Sequence, residues 1–173
     1  AWDPIPDNAF ESARVCGALR PEDIDPFKDF MSEIEPMSAA FDTNYVKKLE
    51  GSNVKEGASK RELAEQLRED IRKFKEEQGC DRLVMIWAAS TEIFMKPTDV
   101  HSTLESFEKA MDEDDPAIAP SMLYAWAALK EKVPFANGAP NLTLDIPALI
   151  DLSLVNSVPV GGKDFKTGQT LMK

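Results

Sequence analysis

Histidine and cysteine are scarce in this sequence, which contains one of the first and two of the second. A single histidine, His101, cannot build the histidine clusters of most metal centres or the constellation of a catalytic triad. Cys16 and Cys80 have neither metal-ligand spacing nor a disulfide-framework pattern, so we expect two reduced thiols and no metal site. The residues around His101 indicate the start of a helix instead.

Long apolar runs and an excess of basic residues are also missing. The hydrophobic stretch at residues 83–89 is too short to cross a bilayer, and no signal-peptide pattern opens the sequence. The formal charge of −11 disfavours binding to nucleic acid or to an anionic membrane. We therefore expect a cytoplasmic protein without such partners, although local lysines and backbone N–H groups still allow a phosphorylated substrate.

The second half of the chain shows alternating helix and strand signals. Residues 59–62 have the pattern of a capping box, and they predict a helix with a solvated charged face that ends near Gly79. A continuous apolar run at residues 82–87 follows and is typical of a buried parallel strand. The further predicted elements are helices at 102–111 and 120–132, a strand at 133–136, a helix at 147–150 and a strand at 157–160. This order predicts an α/β fold with a mainly parallel sheet.

The first half of the chain has weaker signals. An N-cap at Asn8 predicts a helix that runs to about Leu19, and a shorter helix is expected at residues 26–34. Residues 36–58 are rich in turn-forming residues and are expected to be mainly loop. No GxGxxG-type phosphate loop occurs in the sequence.

Small and polar residues follow each of the three predicted strands. They occupy residues 88–92, 137–141 and 161–170. Because ligands of open α/β sheets bind beyond the carboxyl ends of the strands, three such ends in one sheet favour a cleft. Taken singly, each segment is better explained by turn formation, which selects the same residue types.

Four sequence blocks in this half follow one another in a recognisable order. Residues 84–92 read Val-Met-Ile-Trp-Ala-Ala-Ser-Thr-Glu, and residues 113–121 are an acidic run that closes in Ile-Ala-Pro-Ser. Residues 133–140 read Val-Pro-Phe-Ala-Asn-Gly-Ala-Pro, and residues 162–170 read Gly-Lys-Asp-Phe-Lys-Thr-Gly-Gln-Thr. In this order and spacing the blocks resemble the inositol-3-phosphate synthase family. Trp2-Asp3 also looks like that family's Gly-Trp-Asp cofactor motif.

The resemblance implies a fold and a function. The implied fold is α/β: the central part of a Rossmann-like NAD-binding domain over residues 1–162, with a hinge and the start of an α+β catalytic domain over residues 163–173. The implied reaction is the NAD-dependent isomerisation of D-glucose 6-phosphate to 1D-myo-inositol 3-phosphate, the first step of inositol and inositol-phospholipid biosynthesis. The family pattern also implies a homotetramer.

Residue roles follow from the same resemblance. Lys166 and Lys173 are candidate catalytic residues at the entry to the catalytic domain. Residues 48–54 depart from the family's Gln-x-x-Arg-Ala-x-Asn pattern, so no cofactor contact is assigned there. The residues expected to contact NAD are Asp3, Ala88, Ala89, Ser90, Thr91, Gly138, Ala139, Asp164 and Thr167.

Two other classes of function stay open. An NAD-dependent dehydrogenase would share the strand-end chemistry but would release NADH, and a non-enzymatic α/β binding module would bind no NAD. By the family pattern, the Gly-rich phosphate loop lies upstream of residue 1 and most catalytic lysines lie downstream of residue 173. The chain on its own is therefore expected to be inactive.

Overall fold

The computed structural model describes residues 1–165, which pack into two compact units. The first unit contains residues 1–43 and 48–56, and the second contains residues 44–47 and 57–165. The predicted division at residue 163 separates a cofactor domain from a catalytic domain, and it stays a prediction.

The first unit begins with short helices. The Asn8 side chain accepts hydrogen bonds from the first turn of α1 (Ala9–Cys16), which confirms the predicted N-cap. Gly17 ends this helix in the left-handed conformation, at φ 63°, before the predicted end at Leu19. A short helix that was not predicted, α2 (Pro21–Ile24), comes next. The helix predicted at residues 26–34 is present as a 3-10 turn (Asp25–Phe27) followed by α3 (Lys28–Ser32).

Irregular chain makes up the rest of the first unit, as predicted. Two isolated parallel bridges, Trp2 with Met37 and Ala39 with Val54, hold it together. Gly51 packs against the N-terminal segment, since an added Cβ would lie 2.4 Å from the Pro4 carbonyl oxygen.

The second unit begins with its longest described helix, α4 (Lys60–Glu77). The Ser59 side chain accepts the Glu62 N–H at 3.2 Å, as a capping box requires. The Glu62 carboxylate accepts the Ala58 N–H at 2.7 Å, one residue before the position that a complete box would use. Gly79 follows the helix at φ 60°, in agreement with the predicted C-terminus.

Three further helices and three strands complete the second unit. The helices are α5 (Leu104–Asp112), which follows a 3-10 turn at Asp99–His101, α6 (Pro120–Lys130) and α7 (Pro147–Asn156). The strands are β1 (Met85–Trp87), β2 (Phe135–Asn137) and β3 (Val160–Gly162), parallel and in the order β1-β2-β3. The predicted α/β fold with parallel pairing is confirmed. Helix α6 is buried from Pro120 to Leu129 and forms the centre of the core.

The structure corrects two expectations about the strands. Met85 is buried, but Ile86 is 58% exposed, so the prediction of a strand covered on both faces is wrong for the described residues. Neighbouring strand residues point to opposite faces, and only one face is covered within residues 1–165. Strand β3 also begins later than predicted, because Ser157 caps α7 and Val158 N–H bonds to the Ser153 carbonyl oxygen of that helix.

Candidate functional site

The parallel register places the carboxyl ends of the three strands at one edge of the sheet. The chain continues there into the β1 loop (residues 88–92), the β2 loop (residues 138–145) and the β3 loop (residues 163–165). These loops contain most of the residues expected to contact NAD.

Backbone hydrogen bonds join the three loops. The Gly138 N–H donates to the Trp87 carbonyl oxygen at 2.8 Å. The Asp164 N–H donates to the Ala139 carbonyl oxygen and the Phe165 N–H to that of Gly138, both at 3.2 Å. The structure therefore brings Gly138, Ala139 and Asp164 together, next to the residue that precedes the β1 loop.

Gly138 lies where no side chain fits. A Cβ added there would lie 2.6 Å from the Trp87 carbonyl oxygen and 2.7 Å from Cε2 of Phe165. The glycine thus permits the close approach of the β1 and β2 strand ends. Asp164 has φ 62° and an exposed side chain.

The β1 loop presents small side chains to solvent. Ala88, Ala89, Ser90 and Thr91 are all exposed, so small methyl groups and two hydroxyls are available to a ligand. Ala139 differs, because it is 5% exposed and its N–H donates to the Asn137 side-chain oxygen at 3.0 Å. Its backbone therefore belongs to the framework of the site.

A buried polar cluster lies directly behind the β1 loop. Glu92 is 6% exposed, and its carboxylate accepts the Ser121 N–H at 2.8 Å and the Ser121 hydroxyl at 2.6 Å. The Ser121 hydroxyl is 2.8 Å from that of Thr143, and the Glu92 N–H donates to the Asn141 side-chain oxygen at 2.9 Å. Burial raises the pKa of Glu92, and the hydrogen bonds from Ser121 offset this only in part.

This cluster was not predicted from the sequence. Glu92 is simply the last residue of a polar turn there, and Ser121 is the last residue of the acidic block. The available signal is the position of Ser121 directly after Pro120, because proline favours the first helical position and the following N–H groups then need acceptors.

An open pocket of about 400 Å³ lies beside the end of β3. The Lys163 ammonium and the Asp145 carboxylate form an ion pair at 2.7 Å in its wall. Burial alone would raise the pKa of Asp145, but the hydrogen bonds from Lys163 and from the Thr143 N–H bring it below its ordinary value. The lining residues are Asn137, Leu144, Asp145, Ile150, Val160, Gly161, Gly162 and Lys163.

Asp3 belongs to the first unit. Its side chain is exposed and accepts the Ile5 N–H at 2.9 Å, while its carbonyl oxygen accepts the Asn53 side-chain amide at 2.9 Å. Asn53 lies in the segment that departs from the family pattern, and it supports the turn around Asp3. Three further predicted site residues, Lys166, Thr167 and Lys173, lie outside the described residues.

His101 is fully buried. Its Nδ1 accepts the Thr98 N–H at 2.9 Å, so Nε2 carries the proton and donates to the Ala117 carbonyl oxygen at 2.9 Å. Within residues 1–165, no group of three or more histidine, cysteine, aspartate or glutamate side chains is arranged to hold a metal ion. No helix of the same residues combines the length and the hydrophobicity needed to cross a membrane.

The strand-end residues fit one side of a dinucleotide. Small exposed side chains allow a flat ligand to approach, and the hydroxyls of the β1 loop and the Asp164 carboxylate can bond to its sugar and amide groups. Trp87 Nε1 and Asn141 Nδ2 are buried donors at this edge with no acceptor among the described residues. At the described strand ends, the Lys163 ammonium is held in an ion pair with Asp145.

A parallel sheet with joined polar loops at its carboxyl edge defines an α/β nucleotide-binding domain. A family profile described as the NAD-binding domain of myo-inositol-1-phosphate synthase matches residues 1–171. The chain belongs to the myo-inositol-1-phosphate synthase family. This assignment confirms the predicted family and indicates NAD as the cofactor.

Individual relatives agree with this assignment. Inositol-3-phosphate synthase 1 of Bacteroides thetaiotaomicron is 50% identical over 173 residues, covering 99% of this chain and 40% of that protein. Inositol-3-phosphate synthase of Brassica napus is 38% identical over 168 residues, covering 93% of this chain and 32% of that protein. The crystal structure of inositol-3-phosphate synthase from Caenorhabditis elegans superposes on this chain with a TM-score of 0.92 at 30% identity. The match covers 99% of this chain and 34% of the crystal structure's chain. The chain thus spans at most 40% of the length of these relatives.

Proposed function

We propose that this chain supplies part of the NAD cleft of an inositol-3-phosphate synthase, which isomerises D-glucose 6-phosphate to 1D-myo-inositol 3-phosphate. The observation that carries the proposal is the joining of the β1, β2 and β3 loops through Gly138 and Ala139 in a chain of this family. The joined loops form a continuous polar surface where such folds bind dinucleotides.

The proposed reaction comprises an internal oxidation, an aldol cyclisation and a reduction, with no net redox change. When bound, NAD supplies the acceptor and the donor of hydride. Ser90 and Thr91 donate hydrogen bonds that orient the cofactor, and Asp164 accepts one near its reactive end. Lys166 and Lys173 are proposed to stabilise negative charge on the substrate.

The wider setting of the protein is also a proposal. It includes a hinge and the start of a catalytic domain at residues 163–173, a homotetramer, a cytoplasmic location, and no nucleic-acid or membrane partner. The net charge of −11 supports the proposed absence of nucleic-acid and membrane partners, because anionic polymers and surfaces repel an acidic protein.

The full-length protein tests the proposed function when it is incubated with NAD and glucose 6-phosphate. We expect inositol phosphate to form, as followed by phosphorus NMR, while the absorbance of the nicotinamide band stays constant. A steady rise of that band without inositol phosphate would instead indicate a dehydrogenase. Absence of NAD binding in calorimetry would indicate a non-enzymatic module.

The Asp164→Asn variant tests the site, with Asp151→Asn on the exposed surface of α7 as its control. Loss of the Asp164 charge is expected to weaken NAD binding by about tenfold, since a charged hydrogen bond is replaced by a neutral one. Asp151→Asn is expected to bind NAD as the unmodified protein does. Equal affinities of the two variants would remove Asp164 from the proposed site.

A further inference from the structure

The β1 loop combines an exposed surface with a deeply buried end. Residues 88–91 are exposed, whereas Glu92 is 6% exposed. Burial of a carboxylate lowers the stability of the folded state unless each oxygen has a hydrogen-bond partner.

Several hydrogen bonds fix the end of this loop. The two carboxylate oxygens of Glu92 accept from the N–H and the hydroxyl of Ser121, at 2.8 and 2.6 Å. The Glu92 N–H donates to Asn141, and the next N–H, of Ile93, donates to the Tyr45 carbonyl oxygen at 2.8 Å. Side chain and backbone are thus both held.

The partner of Glu92 belongs to the buried core. Ser121 is the second residue of α6, whose first ten residues are all buried. Backbone N–H groups in the first turn of a helix have no partner within the helix, and the helix dipole favours a negative charge there. The carboxylate therefore ties the β1 loop to the central helix of the core.

The same helix end also holds the β2 loop. The Ser121 hydroxyl is 2.8 Å from the Thr143 hydroxyl, and Asn141 of that loop accepts from Glu92. The β1 and β2 loops, which present most of the proposed cofactor contacts, are therefore aligned against one element.

We propose that Glu92 is a positioning residue that sets the geometry of the β1 loop for NAD by anchoring it to Ser121. The inference rests on the proposed function, because it requires NAD at this edge of the sheet. Glu92 acts through residues 88–91 and does not itself touch the cofactor.

Three variants of the full-length protein test this role. Glu92→Gln keeps the shape, with its amide oxygen able to accept the Ser121 N–H and its amide NH2 able to donate to the Ser121 hydroxyl. Glu92→Leu removes both bonds at similar volume. Leu67→Ala destabilises the same unit from the buried face of α4. Calorimetry measures the NAD dissociation constants, and circular dichroism measures the melting temperatures. Steady-state kinetics at saturating NAD gives the Michaelis constants for glucose 6-phosphate.

We expect Glu92→Leu to weaken NAD binding by about tenfold or more, and Glu92→Gln to stay within about twofold of the unmodified protein. The Michaelis constant for glucose 6-phosphate should be unchanged in both variants. Leu67→Ala should lower the melting temperature and leave NAD affinity unchanged. A purely structural role of Glu92 would instead make affinity follow the melting temperature in all variants.

Two results would overturn the inference. One is unchanged NAD affinity in Glu92→Leu, and the other is an equal loss of affinity in Leu67→Ala. If Glu92→Leu does not fold, Ser121→Ala removes the hydroxyl contacts with Glu92 and Thr143 but keeps the backbone N–H bond to Glu92. Unchanged affinity in that variant counts against the proposal in the same way. If the unmodified protein does not bind NAD, the proposed function itself is wrong. This result is distinct from a failure of the Glu92 proposal, in which the unmodified protein binds NAD.

Discussion

Two glycines of the strand ends differ sharply in the space around them. A Cβ at Gly138 would lie 2.6 Å from the backbone oxygen of Trp87, whereas a Cβ at Gly161 would have no atom within 4 Å. Gly138→Ala is therefore expected to lower the free energy of unfolding by about 1–3 kcal/mol, because the backbone must shift. Gly161→Ala is the control and should change it by less than about 0.5 kcal/mol. Urea unfolding measures both, and similar losses would contradict the close approach at Gly138.

The buried Glu92 carboxyl predicts a pH dependence of stability. Its pKa in the folded protein is raised above the ordinary 4.5, so the folded state binds the proton more tightly than the unfolded state does. Its contribution to stability is fully present below pH 4.5 and is lost as the pH rises through the raised pKa.

Glu92→Gln cannot ionise and so tests this pH dependence. The melting temperature of the variant minus that of the unmodified protein should increase as the pH rises above 4.5 and through the raised pKa of Glu92. Circular dichroism at a series of pH values provides the measurement. A difference in melting temperature that does not change with pH would show that ionisation of the buried Glu92 does not affect the stability of the protein.

At the scale of elements, the contact between α4 and α6 is more than an apolar face. The Arg61 guanidinium and the Lys130 ammonium lie 5.2 Å from the Trp126 ring centroid, and the Arg68 guanidinium lies 5.7 Å from it. Arg68 also bonds to Glu131 at 2.7 Å. Part of the α4 surface that was expected to be solvated therefore stabilises the helix pair.

A comparison of two cations of α4 checks this interpretation. Arg68→Ala removes the contact with Trp126 and the bond to Glu131, and should cost about 1–3 kcal/mol of unfolding free energy. Lys73→Ala removes an exposed pair with Glu77 and should cost less than about 0.5 kcal/mol. Denaturant unfolding distinguishes the two, and equal effects would contradict a specific role of the Trp126 contact.

At the scale of the whole molecule, the second unit leaves several large apolar side chains largely exposed, namely Val84, Ile86, Phe94, Leu154 and Val155. Exposed apolar surface promotes association. Residues 1–173 expressed alone should therefore self-associate in light scattering and show no turnover of glucose 6-phosphate. Changing Leu154 and Val155 to lysine should reduce the association. A monodisperse chain would contradict the first expectation, and turnover would contradict the second.

Local signals predicted much of the fold. Asn8, Ser59 and Pro120 mark helix starts that the structure confirms, because capping depends on residues within one helical turn. The exposure of Ile86 could not be predicted in this way. It depends on which face of the sheet other elements cover, and a continuous apolar run is compatible with one covered face or two.

The candidate site was predicted only in part, for a similar reason. Gly138 and Asp164 were expected to contact the cofactor, and the structure brings their segments together. The anchor between Glu92 and Ser121 was missed, because it joins residues that are far apart in sequence and its formation depends on how α6 packs.

By itself, the sequence determined the alternation of helices and parallel strands, the family, and the three polar strand ends, since each follows from local patterns or ordered motifs. The tertiary structure alone decided how those ends meet. Backbone bonds through Gly138 and Ala139 join them, and the Glu92 carboxylate ties the β1 loop to the buried helix α6. Such contacts form only when packing removes competing water, so they are a property of the folded chain and not of any one segment.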